Sequence, residues 1–186
     1  MKAIDPQRNT IELQPARRGK IPKFDGEAAP VDAIVRYKMR DVLAGSDQPA
    51  FCDSRSVNAL QHARQYYCDA ELQSSPLIST SDSLYWFVWH SDAVINTLAL
   101  LLNDMGLRTG AIGPVLLVDN TSDANSVLGR VAAAVNRLES DDLLDLVQAK
   151  PLGKFDGALS PDLLKHAIAV DMLDLESARQ YVETLQ

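Results

Sequence analysis

The chain contains 186 residues, of which 46% are hydrophobic and 23% charged, so it can bury a hydrophobic core and is neither disordered nor fibrous. Its length suits one domain, or one small domain with a tail. A net charge of −7 argues against a protein that coats nucleic acid with its whole surface.

The first 29 residues are predicted to form a strand followed by a basic, extended arm. They contain no apolar stretch typical of a secretory signal, and no later run is long enough for a membrane span, so we expect a cytoplasmic protein. Apolar and polar residues alternate over residues 10–14, as in a half-buried strand. Two prolines and two glycines then argue against regular structure over residues 15–26.

Charge is distributed unevenly along the chain. Residues 1–40 contain nine Lys and Arg against five Asp and Glu, a net charge of +4. Residues 41–186 contain nine against twenty, a net charge of −11. The sequence therefore attaches a basic arm to an acidic body.

Residues 30–186 are predicted to form a single compact α+β domain. A first helix begins near Pro30 and ends at Gly45, and a second begins at Asp53 or Ser54 and ends near Leu72. Helical spacing of apolar residues defines their predicted inner faces, which are Val31, Ile34, Val35, Met39, Val42 and Leu43 in the first helix and Val57, Leu60, Ala63, Arg64, Tyr67 and Cys68 in the second.

An aromatic and β-branched segment, residues 84–89, predicts a buried central strand. Ser91 or Asp92 can cap the helix that follows, and Gly106 ends it. Two short strands, residues 108–112 and 115–118, complete the sheet.

The C-terminal part is predicted to be helical. Helices begin after Ser122 or Asp123, at Glu139, after Ser160 and at Leu175. This order of elements predicts an α+β fold with a small, mainly antiparallel sheet packed by helices.

No motif indicates catalysis or a bound cofactor. The sequence has no P-loop, GxGxxG or DExx box, so we expect neither NTP hydrolysis nor dinucleotide binding by this chain. Cys52 and Cys68 lack metal-site spacing, and no histidine lies in a metal-binding motif, so we predict no metal ligand. Helix capping explains Ser91 and Asp92 better than catalysis, although two triads can be assembled on paper: Ser91, His90 and Asp92, and Cys52, His62 and Asp53.

Seven residues form a candidate nucleic-acid-binding set: Arg17, Arg18, Lys20, Lys23, Trp89, His90 and Ser91. The four arm residues can grip phosphates, although an ordinary linker has the same composition. Trp89 ends the predicted strand, so we expect its ring to be partly exposed and able to stack on a base, with core packing as the alternative. His90, Ser91 and the following helix N-terminus could hold a phosphate.

Three stretches of the chain carry a resemblance to a family. They are residues 4–13 with 15–24, Trp89 with residues 97–102, and residues 154–155 with 159–164 and 173–179. Together they resemble the C-terminal accessory region of Lhr-like superfamily 2 DEAD/DEAH-box helicases of bacteria. That family often has arginines after the tryptophan, whereas Ser91, Ala93 and Asn96 occupy those places here.

The resemblance implies a non-catalytic accessory domain of an ATP-dependent helicase whose motor, with its ATP and Mg²⁺, lies elsewhere. Its implied partners are the helicase motor domain or subunit and single-stranded nucleic acid. Two alternatives stay open. One is a protein interaction module of a DNA-processing or phage-defence complex, whose acidic body docks on a basic surface. The other is a small stand-alone hydrolase.

Overall fold

The structure, a computed structural model, describes the backbone of residues 3–5 and 10–12 and all atoms of residues 29–150 and 156–186. The two short N-terminal segments are strands β1 (Ala3–Asp5) and β2 (Thr10–Glu12). They pair antiparallel, with Ile4 opposite Ile11. The sequence predicted only the second of these strands.

A four-stranded antiparallel sheet is formed by β3 (Leu77–Ser79), β4 (Ser83–Phe87), β5 (Thr109–Ile112) and β6 (Val115–Asp119). Its spatial order is β3-β4-β6-β5, so β4 and β6 occupy the centre. Leu84 lies opposite Val118, and Trp86 lies opposite Leu116. All four of these side chains are fully buried, which confirms the predicted α+β class with a small antiparallel sheet.

The helices surround this sheet. Those of the described residues are α1 (Ala33–Ala44), α2 (Ser54–Asp69), α3 (Asp92–Asp104), α4 (Ala124–Arg137), α5 (Ser140–Leu146), α6 (Pro161–Met172) and α7 (Leu175–Glu183). Most begin at a residue whose side chain accepts a hydrogen bond from a backbone N–H of the first turn. These capping residues are Asp32, Asp53, Ser91, Asp123, Ser160 and Asp174.

α3 is the central helix of the main core. Its buried residues are Val94, Ile95, Thr97, Leu98, Leu101 and Leu102. They join the buried face of the sheet to apolar residues of α4, α5 and α7. The Thr97 hydroxyl donates to the Ala93 carbonyl at 2.8 Å and accepts the Asp174 N–H at 2.9 Å, so the core also fixes the start of α7.

A smaller cluster joins α2 to the sheet. Tyr67, Leu72 and Trp89 are its buried members, and Leu43 of α1 packs against them. α1 and α2 contribute no residue to the main core and pack around this smaller cluster instead.

Several sequence predictions for the first half of the chain are wrong in detail. Strand β3 was missed, because Pro76 was taken as a break although it only precedes the strand. Cys68 is exposed rather than on the inner face of α2. The central strand ends at Phe87, so Trp89 lies in the loop after it.

Candidate functional site

The four basic arm residues, Arg17, Arg18, Lys20 and Lys23, lie outside the described residues. Their contact with phosphate therefore stays a prediction, as does the division of the chain into an arm over residues 1–29 and a domain over residues 30–186.

Trp89 is buried, so the expectation of partial exposure is wrong. Its side chain is 4% exposed, and its ring centroid lies 6.2 Å from that of Tyr67 and 5.8 Å from that of Phe87. The loop after β4 places the ring in the small cluster, where it packs against buried and partly buried apolar residues. Within the described residues its indole N–H has no hydrogen-bond partner, which costs about 1–3 kcal/mol. In this position the ring has no face available to a base.

His90 and Ser91 serve the start of α3. The Ser91 hydroxyl accepts the Val94 N–H at 3.4 Å, and Nδ1 of His90 accepts the Ser91 N–H at 2.9 Å. The imidazole lies between two rings, with centroids 5.5 Å from Tyr37 of α1 and 5.9 Å from Tyr181 of α7. Capping is the role that this geometry gives to Ser91, and phosphate contact by either residue stays a prediction.

Burial shifts the pKa values of His90 and of the neighbouring Tyr181. It lowers the pKa of His90, although the carboxylates of Asp174 and Asp32 act in the opposite direction. It also raises the pKa of Tyr181 to about 12. The neutral phenol accepts the Trp86 indole N–H at 3.3 Å and donates to the Phe87 carbonyl at 3.4 Å, so α7 is tied to β4.

The acidic residues of the two candidate triads have structural partners instead. Asp92 binds residues of α1 and its preceding loop rather than His90. Asp53 accepts the Ser56 N–H at 2.7 Å as the cap of α2, and this hydrogen bond lowers the pKa of Asp53. Among the residues that the structure describes, no three His, Cys, Asp or Glu side chains are grouped to hold a metal ion.

The side chain of Asp92 links α1 to the core. Its Oδ1 accepts from Nη2 of Arg36 at 2.9 Å, and its Oδ2 accepts the Val31 N–H at 2.8 Å. The Asp92 N–H in turn donates to the Val31 carbonyl at 3.0 Å. The carboxylate lies in the first turn of α3, where the helix dipole favours a negative charge. We call Val31, Arg36 and Asp92 the Asp92 junction.

Arg36 makes the junction costly to break. The residue is 6% exposed, although it carries a full positive charge in the first turn of α1. Its Nε has no hydrogen-bond partner among the described residues. Asp92 is therefore the group that compensates the buried guanidinium.

The junction orients α1 with apolar side chains outward, so its predicted inner face is wrong for four of six residues, although Val31 and Leu43 are partly buried. Four of those residues are exposed: Ile34 at 62%, Val35 at 48%, Met39 at 40% and Val42 at 45%. They line a groove of 430 Å³ on the surface, and we call them the α1 stripe. Apolar spacing could not reveal this orientation, because Arg36 and Asp92 are 56 residues apart in sequence.

No family model matches the chain, and neither the curated proteins nor the solved structures contain a match. The helicase resemblance therefore stays an expectation that the quoted stretches alone support. No helix in the described part of the chain is long and apolar enough to cross a membrane.

The Asp92 junction predicts the effect of Asp92→Ala. Removing the carboxylate leaves the Arg36 charge buried and unpaired, so the free energy of unfolding should fall by about 2–3 kcal/mol. Amide hydrogen exchange in α1 should accelerate, since the junction holds this helix. Asp41→Ala is the control, because it breaks only the exposed pair of Asp41 with Lys38 and should leave the denaturant midpoint unchanged. Equal midpoints for both variants would contradict a structural role for the junction.

The burial of His90 predicts that the stability of the protein depends on pH. Because burial lowers its pKa below the ordinary 6.5, the unfolded chain binds more protons in the interval between the two values. Its stabilising contribution is complete above about pH 7 and is lost as the pH falls through 6.5 towards the lowered pKa. Denaturant unfolding of wild type and His90→Gln from about pH 8 to pH 5 should show a difference that shrinks on acidification. Parallel curves would contradict this assignment.

Proposed function

We propose that the chain is a non-catalytic accessory domain that docks on the motor of an ATP-dependent helicase through the α1 stripe. The observation that carries docking is the orientation of α1, which buries a guanidinium and exposes four large apolar side chains. The helicase itself is proposed from the sequence resemblance, and ATP and Mg²⁺ belong to that motor. The proposed location is the cytoplasm.

The energetics of α1 favour a covered stripe. Burying apolar surface stabilises a protein by about 25 cal/mol per Å², whereas a buried ion pair contributes little. An isolated domain would therefore gain by turning the apolar face of α1 inward. The observed orientation is typical of a surface that a partner covers, and contiguous exposed apolar residues commonly mark such surfaces.

The polar residues around the stripe also fit an interface. Lys38 and Asp41 form an exposed ion pair at 3.1 Å on the same helix. An apolar centre with a polar, solvent-accessible rim is the usual anatomy of a protein interface. Lys38 lines the same groove as the stripe, so the charged rim is continuous with its apolar centre.

A non-catalytic role is supported by the occupied polar groups. Ser91 caps α3, Asp53 caps α2, and Asp92 binds Arg36. These are three of the six residues from which the sequence allowed two triads to be assembled, and each of the three has a structural role instead. A stand-alone hydrolase is therefore the weakest of the three hypotheses.

Single-stranded nucleic acid is a second proposed ligand, favoured by the charge distribution. Residues 1–40 carry a net charge of +4, and residues 41–186 carry −11. A phosphate backbone would be attracted to the first part and repelled by the second. The basic arm directly precedes α1 in sequence, so motor docking would bring the arm to the strand that the motor holds.

Site-specific photo-crosslinking in the cells that produce the protein tests docking. A photoreactive amino acid replaces Ile34 or Met39 in the stripe, or Val170 of α6 as a control that is 66% exposed. Both stripe positions should crosslink to the same polypeptide, with a P-loop in its sequence, and the control should not. Val35→Glu should weaken this complex about tenfold or more, because it places a charge in the apolar centre, whereas Val170→Glu should not.

Other crosslinks would contradict the proposal in distinguishable ways. A crosslink only to a second copy of the chain would make the stripe a self-association surface. A crosslink only within the chain would mean that its own residues cover the stripe. A crosslinked partner without a P-loop would support docking through the stripe but contradict a helicase motor as the partner.

Binding of a fluorescent oligothymidylate tests the nucleic-acid proposal. Replacing Arg17, Arg18, Lys20 and Lys23 with alanine should abolish the salt-sensitive part of the affinity, because four phosphate contacts are lost. Replacing Arg55, Arg108, Arg130 and Arg137 is the charge-matched control and should have little effect. Absence of binding by the wild-type chain at low salt would reject this ligand.

A further inference from the structure

A cleft of 1030 Å³ lies between α3 and α6, beside the Asp92 junction. None of the α1 stripe residues lines it, so it is a separate surface. Its volume lies at the upper end of the range of protein ligand sites. Its walls are largely apolar and include Ala93, Ala111, Leu164, Ala167, Ile168 and Met172.

The charged groups of the cleft are predominantly negative. Arg36, Asp92, Asp156 and Asp171 line it, so one positive charge faces three negative ones. Arg36 and Asp92 neutralise each other in the junction. Asp156 has a partner of its own and receives no role here.

Asp171 is the carboxylate that the cleft leaves available. It is exposed in the last turn of α6, and none of the residues that the structure describes pairs with it. A carboxylate in the last turn of a helix is disfavoured by the dipole, so an approaching cation would relieve an existing repulsion. Beside apolar walls, this carboxylate matches a Lys or Arg side chain, which combines an aliphatic stem with a charged end.

We infer that the cleft binds a polypeptide segment of a partner protein in which one Lys or Arg is flanked by apolar residues. A negative net charge argues against an anionic ligand, and a small organic cation would leave most of the apolar wall uncovered. A peptide segment covers the walls with its apolar residues while its basic residue reaches Asp171. The net charge of −11 over residues 41–186 would also attract such a segment before contact.

Selection of a random displayed peptide library on the full chain tests this inference. The selected peptides should contain one Lys or Arg between apolar residues, and their affinities are then measured with fluorescent copies. Asp171→Asn should weaken binding up to about fivefold, as expected for a partly exposed ion pair. Asp104→Asn is the matched control, since Asp104 is an exposed aspartate in the last turn of α3 and does not line the cleft.

Two further variants test the apolar walls. Ala167→Trp on α6 and Ala111→Trp on β5 should each fill the cleft and weaken peptide binding by about tenfold or more. Ala111 is exposed in a strand, where tryptophan is well tolerated. Ala111→Trp therefore still tests the inference if Ala167→Trp fails to fold.

Three outcomes would overturn the inference. They are a failure to select peptides, selected peptides without a basic residue, and equal binding to Ala111→Trp. If peptides bind only after the four arm residues are replaced with alanine, the basic arm of the chain occupies the cleft instead of a partner. None of the variants in this test lies in the α1 stripe, so failure here and failure of motor docking are distinguishable.

Discussion

One carboxylate at the start of α3 determines how α1 is placed. Asp92 receives the Arg36 guanidinium and the Val31 N–H, and so fixes both the position and the rotation of α1. The rotation follows from electrostatics, because the charge buried on α1 has Asp92 as its only acidic ion-pair partner among the described residues. Once this pair is formed, the apolar residues on the other side of α1 have to face solvent.

This rotation separates the two surfaces that we propose as partner-binding sites. The α1 stripe lies on the outer side of the helix, whereas the residues of the Asp92 junction line the cleft between α3 and α6. The first surface is apolar with a mixed charged rim, and the second is apolar with a carboxylate that no described residue pairs. Two surfaces of different chemistry suit a domain that joins components of a complex.

Much of the fold could be predicted from local sequence. The capping residues Ser91, Asp123 and Ser160 act within one turn of their own helices, so a few neighbouring residues encode each helix start. The aromatic and β-branched composition of residues 84–89 likewise predicted a buried central strand, and Leu84 and Trp86 of β4 are fully buried. The candidate site was predicted less well. Trp89 lies in a loop, where no strand alternation determines the direction of its ring.

The sequence by itself determined the α+β class, most helix and strand positions and the separation of positive from negative charge, since these depend on residues that are close in the chain. Only the tertiary structure decided which face of α1 is buried, where Trp89 packs and which carboxylate pairs with Arg36. Those outcomes depend on pairs such as Arg36 and Asp92, which the fold brings together from 56 residues apart. A hydrophobic pattern ranks faces by polarity alone, and it cannot show that a distant carboxylate compensates a buried charge.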